Sequence, residues 1–449
     1  MTNARLFGLL VVACVIGLGG CSTVSKVNPF HGKKAASTAS RGARIPVIAL
    51  DEQLKVASAL KGQDFFLPPP APVAAWPLPG GTPEQSVENV AAAPQFVIAW
   101  RKTFGIGYAR RRHIMAPPVA AGGRLVVMDG VANVSAHDQN TGDQIWRTDV
   151  RVKAKGEHDA YGGGLAYVDG RLYVTSGYRE VLALDAGTGA IIWRTRTEAP
   201  VHAAPTAVGG RLYVADVNDE LLAFDAVTGA SSWSYQALTE PARILAASSP
   251  AVANDTVVAS FASGELVAVR ATNGNELWNA SLSRASRTNA LSEIRDVAGR
   301  PVVYKSDVYA VSHSDVFAAV DLRTGVGRWT LPVSAITTPW PAGDVVFVVD
   351  QTGEVICVSR ESGQIYWMRN LNDGIKKKKQ RQRSYWSSPI LASNRLILVS
   401  TLGDAVALDP KTGATQRALR LGEPALIGPI AVGGMIYVVT ETGQLVAIR

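Results

Sequence analysis

Eight times along this chain the same strand and turn pattern returns with nothing inserted inside it, and that constant register limits the fold more than any other feature. A turn phrase runs from Asp138 to Trp146, Asp185 to Trp193, Asp225 to Trp233, Arg270 to Trp278, Asp321 to Trp329, Ser359 to Trp367 and Asp409 to Arg417. Glycine stands four residues after the first position each time: Gly142, Gly189, Gly229, Gly274, Gly325, Gly363 and Gly413. Such a turn calls for a residue at positive φ, and an aspartate or serine at its start can bond the backbone two residues on. A second landmark, a proline opening an alternating strand, stands at 118, 205, 250, 301, 339, 389 and 429, with Leu165 in the second unit. The offset from landmark to turn start never changes: 118 to 138, 165 to 185, 205 to 225, 250 to 270, 301 to 321, 339 to 359, 389 to 409 and 429 to 449.

Between landmark and turn the chain alternates apolar and β-branched residues around a short polar break, as in the stretch from Arg211 to Asp225. Adding the strand that ends at the tryptophan gives four short antiparallel strands, one blade of a propeller. The eighth unit reaches Arg449 at the turn position, so its fourth strand must come from elsewhere, and Phe96 to Trp100 matches the tryptophan strand. Closing the ring with that segment removes both sheet edges. The expected fold is all-β: an eight-bladed β-propeller of four-stranded antiparallel blades, closed by an N-terminal strand. Trp100, Trp146, Trp193, Trp233, Trp278, Trp329 and Trp367 share one phase, which favours packing between blades over an aromatic binding surface. Arg417 breaks the series, so the contact there is expected to be weaker or rebuilt.

The amino-terminal end reads differently. Arg5, the apolar run Leu6 to Gly17 and the small residues before Cys21 form an export signal over residues 1–20, with an apolar run too short to span a bilayer. Leu18-Gly19-Gly20-Cys21 resembles the lipobox of bacterial lipoproteins, which implies acylation of Cys21; a plain secretory signal with a chance cysteine is the simpler alternative. Residues 21–94 lack sustained periodicity and carry Leu67-Pro68-Pro69-Pro70-Ala71-Pro72, so they read as a flexible Pro/Ala-rich tether, with the propeller over residues 95–449. Cys14 leaves with the signal, Cys21 takes lipid, and Cys357 then lacks a disulfide partner and reads as a small buried apolar residue.

Since each unit is constant, length varies only in the connections between blades, from 10 residues (Trp329 to Pro339) to 23 (Trp278 to Pro301). All emerge on one face, where a rigid scaffold places binding. Two are basic, with Arg110, Arg111 and Arg112 in one and Lys376, Lys377, Lys378 and Lys379 in another. They supply much of the net charge of +8 and suit anionic lipid, acidic protein or cell-wall polymer, or serve only as solvated loops. Nucleic acid is not an expected partner of an exported chain. Two others mix apolar and charged residues, Arg243-Ile244-Leu245 and Ile294-Arg295-Asp296, a composition that suits an apolar anchor with a charged rim or, alternatively, a seal on the disc. The six histidines show no His-x-x-x-His spacing, and no Gly-x-Ser-x-Gly occurs. No catalytic residue, metal or cofactor is expected.

Lipobox, proline-rich segment, eight such units and N-terminal closure together resemble the BamB family, lipoprotein subunits of the outer-membrane β-barrel assembly machinery. The resemblance implies a non-enzymatic scaffold at the outer membrane, facing the periplasm. It would dock on the periplasmic domains of the barrel-forming subunit and aid folding and insertion of β-barrel proteins, with nascent barrel proteins as further partners. Ser22 after the lipidated cysteine is compatible with outer-membrane sorting. In that family one docking connection carries an apolar-apolar-Arg element and its neighbour a Ser-Asp-Val-Asp element. Here Arg243, Ile244 and Leu245 stand near the first in changed order, and Asp296-Val297 matches part of the second, with Ala298 in place of its second acid. Two alternatives remain: a quinoprotein dehydrogenase using pyrroloquinoline quinone and calcium, against which the lack of an adjacent cysteine pair counts, and an envelope adaptor holding cell wall or lipid through its basic loops.

Overall fold

A computed structural model of the chain describes residues 54–109, 113–152, 162–239, 248–282, 297, 299–373 and 384–449. The described residues form eight four-stranded antiparallel sheets, each ordered from an inner to an outer strand. The first blade has Val119–Ala121 innermost, then Arg124–Met128, Asn133–Asp138 and Gln144–Asp149. Blades two to seven repeat this order, and the eighth takes its outer strand, Ile98–Thr103, from the other end of the domain. Trp100 pairs with Ala447 and Arg101 with Val446, while Val97 and Arg449 exchange backbone hydrogen bonds of 3.0 and 2.9 Å. The landmark prolines stand just ahead of the inner strands, which are buried along their length in most blades.

The turn between third and outer strands is built as its composition demands. In the second blade Asp185 Oδ1 accepts hydrogen bonds from the backbone N–H groups of Gly187 and Thr188 and from the Thr188 hydroxyl, at 2.8 to 3.0 Å. Chiefly because of the Thr188 side chain, the Asp185 carboxyl sits below the usual carboxylate range. Gly189 then takes φ +74°, and the face left bare of a Cβ receives the Trp146 ring of the preceding blade. A Cβ added to Gly189 would stand 2.5 Å from Trp146 Cε3. The same seam recurs around the ring: each indole from Trp146 to Trp367 lies over the turn of the following blade. Each donates its N–H to a carbonyl there, from Ala186 O (3.0 Å) in the first case to Pro410 O (3.0 Å) in the last.

Two seams depart from this pattern. Trp100 covers Gly142, but Tyr437 donates to the Gln139 carbonyl at 2.8 Å, and the buried Trp100 Nε1 has no partner. Between blades seven and eight there is no such turn to cover, because the eighth blade's last two strands come from separate parts of the chain. Arg417 is accordingly exposed, and the seam is filled by Phe96, whose ring packs under the Arg395 guanidinium (5.6 Å), while Arg395 Nη2 donates to the Ala93 carbonyl at 2.5 Å.

The segment expected to be a flexible tether is, over residues 54–94, part of the propeller. Between Val73 and Ala93 it bonds to the innermost strands or their turns in every blade. Trp76 pairs with Ala120 of the first, Pro77 O accepts from Tyr167 N of the second, and Gln85 Nε2 reaches Thr206 of the third. Pro83 O and Glu84 O accept from Val252 N and Val303 N of the fourth and fifth. Glu88 O accepts from Trp340 Nε1 of the sixth, Val90 O from Ser393 N of the seventh and Val73 O from Gly433 N of the eighth. The prolines do keep the segment extended, but its carbonyls meet N–H groups that the short inner strands leave unpaired, and Trp76, Leu78, Val90 and Ala92 are buried. Prolines therefore mark a strap here, not a spacer.

Candidate functional site

Four antiparallel strands per blade send the chain back to the face it started from, so every blade-to-blade connection shares a face with the turns between second and third strands. The described part of this connection face exposes large apolar side chains: Ile106, Tyr108, Leu238, Ile336, Tyr385, Leu402 and Leu426. Tyr385 and Leu402 are neighbours, joined by the Thr401 N to Tyr385 O hydrogen bond of 3.0 Å. Acids beneath this face brace its turns. Asp129, buried, accepts from the backbone N–H groups of Val131 and Asn133 and pairs with Arg147 at 2.8 Å; Glu180 pairs with Arg194 at 2.6 Å. In the third blade the station of Arg147 is Ser234, and the counterpart of Asp129, Asp216, has no cation opposite among the described residues. Its Oδ1 accepts from Asn218 N and Glu220 N, its Oδ2 is buried without a partner, and burial raises its pKa to about 6.

Along the axis the inner strands surround a cavity of about 180 Å³. Trp76, Pro79, Gly80 and Gln85 of the strap close one end, with Trp76 stacked on Trp340 (ring centroids 6.3 Å apart, planes at 13°). Ile336 and Leu426 stand on the cavity wall and on the exposed connection face. In seven of the eight blades the residue before the landmark lines this cavity. It is small in five blades (Gly164, Ala204, Ser249, Ser388, Gly428), Pro117 and Thr338 in two, and Arg300 in the fifth.

Cys21, Arg243, Ile244, Leu245, Arg295, Asp296, Arg110, Arg111, Arg112, Lys376, Lys377, Lys378 and Lys379 lie outside the described residues. The seven tryptophans lie at the blade seams as described. Sequence reasoning passed over the strap, Asp216 and Arg300. Arg300 carried a usable signal, since it is a charge at a station where the other seven units carry none; Asp216 did not, because Asp350 stands at the same station of the sixth blade with Met368 in place of Arg147. Among the described residues no group of three or more His, Cys, Asp or Glu side chains is placed to hold a metal.

This geometry defines a class: a closed eight-bladed propeller of tryptophan-bearing, PQQ-like repeats, with all blade-to-blade connections on one face. A family model described as outer membrane protein assembly factor BamB matches residues 97–160 and 132–369, more than half of the chain, and the chain belongs to that family. A BamB from Alkalilimnicola ehrlichii is 26% identical over 203 residues, which are 45% of this chain and 51% of that protein, so the chain spans about half the length of this relative. The crystal structure of BamB from Moraxella catarrhalis superposes with a TM-score of 0.67 at 16% identity, covering 78% of this chain and 99% of that one. A quinohemoprotein alcohol dehydrogenase from Comamonas testosteroni shares the fold, with a TM-score of 0.65 at 13% identity over 84% of this chain and 80% of its own. Among the described residues the cavity wall carries an arginine and no carboxylate, a donor set that does not fit a calcium-bound quinone.

Proposed function

We propose that this chain is a non-enzymatic scaffold of the outer-membrane protein assembly complex, one that docks through its connection face on the periplasmic domains of the barrel-forming subunit and aids folding and insertion of β-barrel proteins. Family membership supports the assembly role. The observation that supports the choice of face is its row of exposed apolar side chains on a disc whose other face is occupied by the chain's own strap. A rigid, closed ring spends little conformational entropy on binding, so a few apolar anchors suffice for affinity, and charge sets orientation and encounter rate. Acylated Cys21 would hold the protein at the inner leaflet of the outer membrane, facing the periplasm, and the Arg110 to Arg112 and Lys376 to Lys379 runs would add attraction for an acidic partner.

The test is crosslinking in membranes followed by partner identification, with two sets of variants. I244A/L245K/D296A addresses the paired connections, and Y385D/L402D addresses the exposed apolar pair. Loss of capture of the barrel-forming subunit by either set, with unchanged circular dichroism, supports the face. Full capture by both dismisses it, and capture of cell-wall polymer alone favours the adaptor reading.

A further inference from the structure

The axial cavity is asymmetric in charge. Seven of its eight equivalent stations are small or uncharged, and the eighth sends an arginine side chain into the space they leave. No hydrogen bond or ion pair to Arg300 is formed by any described residue, and its Nε is buried with no partner. Burial alone, with no acid to offset it, lowers its pKa to about 10, so it stays charged at neutral pH. Besides His202, Arg300 is the one titratable group on the described wall. The side chain is half-buried with its Nε shielded from solvent, and the donors of its guanidinium, unmet by the described residues, suit planar oxygen acceptors. Around it the wall is mixed: Met115, Ile336, Ile390, Leu426 and Ile427 offer apolar surface between the polar side chains of His202, Ser249, Thr338 and Ser388. A comparable dry cavity of roughly 150 Å³ accepts a benzene ring, so the volume here suits an organic anion of four or five carbons.

We propose that the axial cavity is a binding site for a small carboxylate with a short apolar body, its carboxylate held by the Arg300 guanidinium and its carbon chain lying against the apolar side chains of the wall. The carboxylate supplies the two oxygens that match the guanidinium fork. The strap closes one end of the cavity, so the ligand enters from the connection face, past Ile336 and Leu426.

The experiment uses the full chain, butyrate as probe, and butyramide and inorganic phosphate as controls, read by calorimetric titration and thermal melting. Butyrate is expected to bind saturably and raise the melting temperature, and butyramide is not. R300M is expected to melt higher than the parent without ligand, because it removes an uncompensated charge from a space that accepts a methionine, and to lose at least about tenfold in butyrate affinity. R300K retains the charge without the fork and binds more weakly than the parent. A lower melting temperature for R300M makes Arg300 a structural residue and overturns the proposal. So do equal binding of butyrate and butyramide, equal binding of phosphate and butyrate, and no saturable butyrate binding.

Discussion

The blade seam can be measured by two glycine substitutions in one blade. Gly229 and Gly210 have nearly the same backbone, φ +73° and φ +75°, and differ in surroundings. A Cβ on Gly210 meets nothing within 4 Å, whereas one on Gly229 falls 2.5 Å from Trp193 Cε3, 2.7 Å from Cδ2 and 2.8 Å from Thr195 Oγ1. Gly210→Ala therefore reports the backbone term alone, about 1 kcal/mol for a non-glycine residue in the left-handed region. Gly229→Ala bears the same term and must also push the indole off the turn. That loosens the Trp193 Nε1 to Ala226 O bond (3.3 Å) and the ring contact, for a further cost of about 1–3 kcal/mol. Urea unfolding followed by tryptophan fluorescence reads both. In a Trp193→Ala background most of the extra cost of Gly229→Ala should disappear, leaving only the part due to Thr195 Oγ1, since the alanine no longer collides with a ring. If the two glycine variants agree to within about 0.5 kcal/mol in the parent, the tryptophans do not hold the blades through these turns.

Two further outcomes follow from buried groups. Asp216 has its folded pKa raised from 3.8 to about 6, so the folded state holds its proton more tightly than the unfolded chain. The group's contribution is favourable at low pH and is lost as pH rises from about 4 to about 6, a cost of at most about 3 kcal/mol at neutral pH. D216N keeps the Oδ1 acceptor and should raise stability at pH 7 while flattening this pH dependence; a loss of stability at pH 7 with unchanged slope contradicts the reading. Trp76, 1% exposed, anchors the strap against Trp340 and Ala120, and W76A should cost about 3–5 kcal/mol. It should also expose residues 54–94 to limited proteolysis under native conditions, and unchanged cleavage kinetics would mean that the strap is held without it.

The propeller was legible because its physics is repetitive. A landmark at a fixed distance from a glycine turn, eight times over, leaves one architecture, and the missing fourth strand at Arg449 pointed to the segment after Phe96 as its substitute. The fate of Arg417 was half legible: the break in the series was plain, but only the structure shows that the next blade has no turn for an aromatic ring to cover. Residues 54–94 were misread for a definite reason. Their pairing is by isolated bridges and single hydrogen bonds spread over eight different blades, which leaves no period of two in the sequence, and their prolines accept hydrogen bonds without donating any, so they resemble a spacer. Arg300 was hidden by being a single departure from a pattern, visible once the eight units are laid on one register, whereas the burial that sets Asp216 apart from Asp350 at the same station shows only in the structure. The connection residues proposed to dock, from Arg243 to Leu245 and at Arg295 and Asp296, carry no period at all and are readable only through family resemblance.

Stacked repeats ordinarily couple only to their neighbours, and their stability sums intrinsic and adjacent-pair contributions, so such arrays can fray from one end or lose a module locally. A strap bonded to all eight blades changes that connectivity from a necklace to a wheel with a hub. Loosening any blade weakens an element that the other seven share, so unfolding becomes more nearly all-or-none. Tension arriving through the amino-terminal end is likewise distributed over the whole disc and does not unzip a single rim strand.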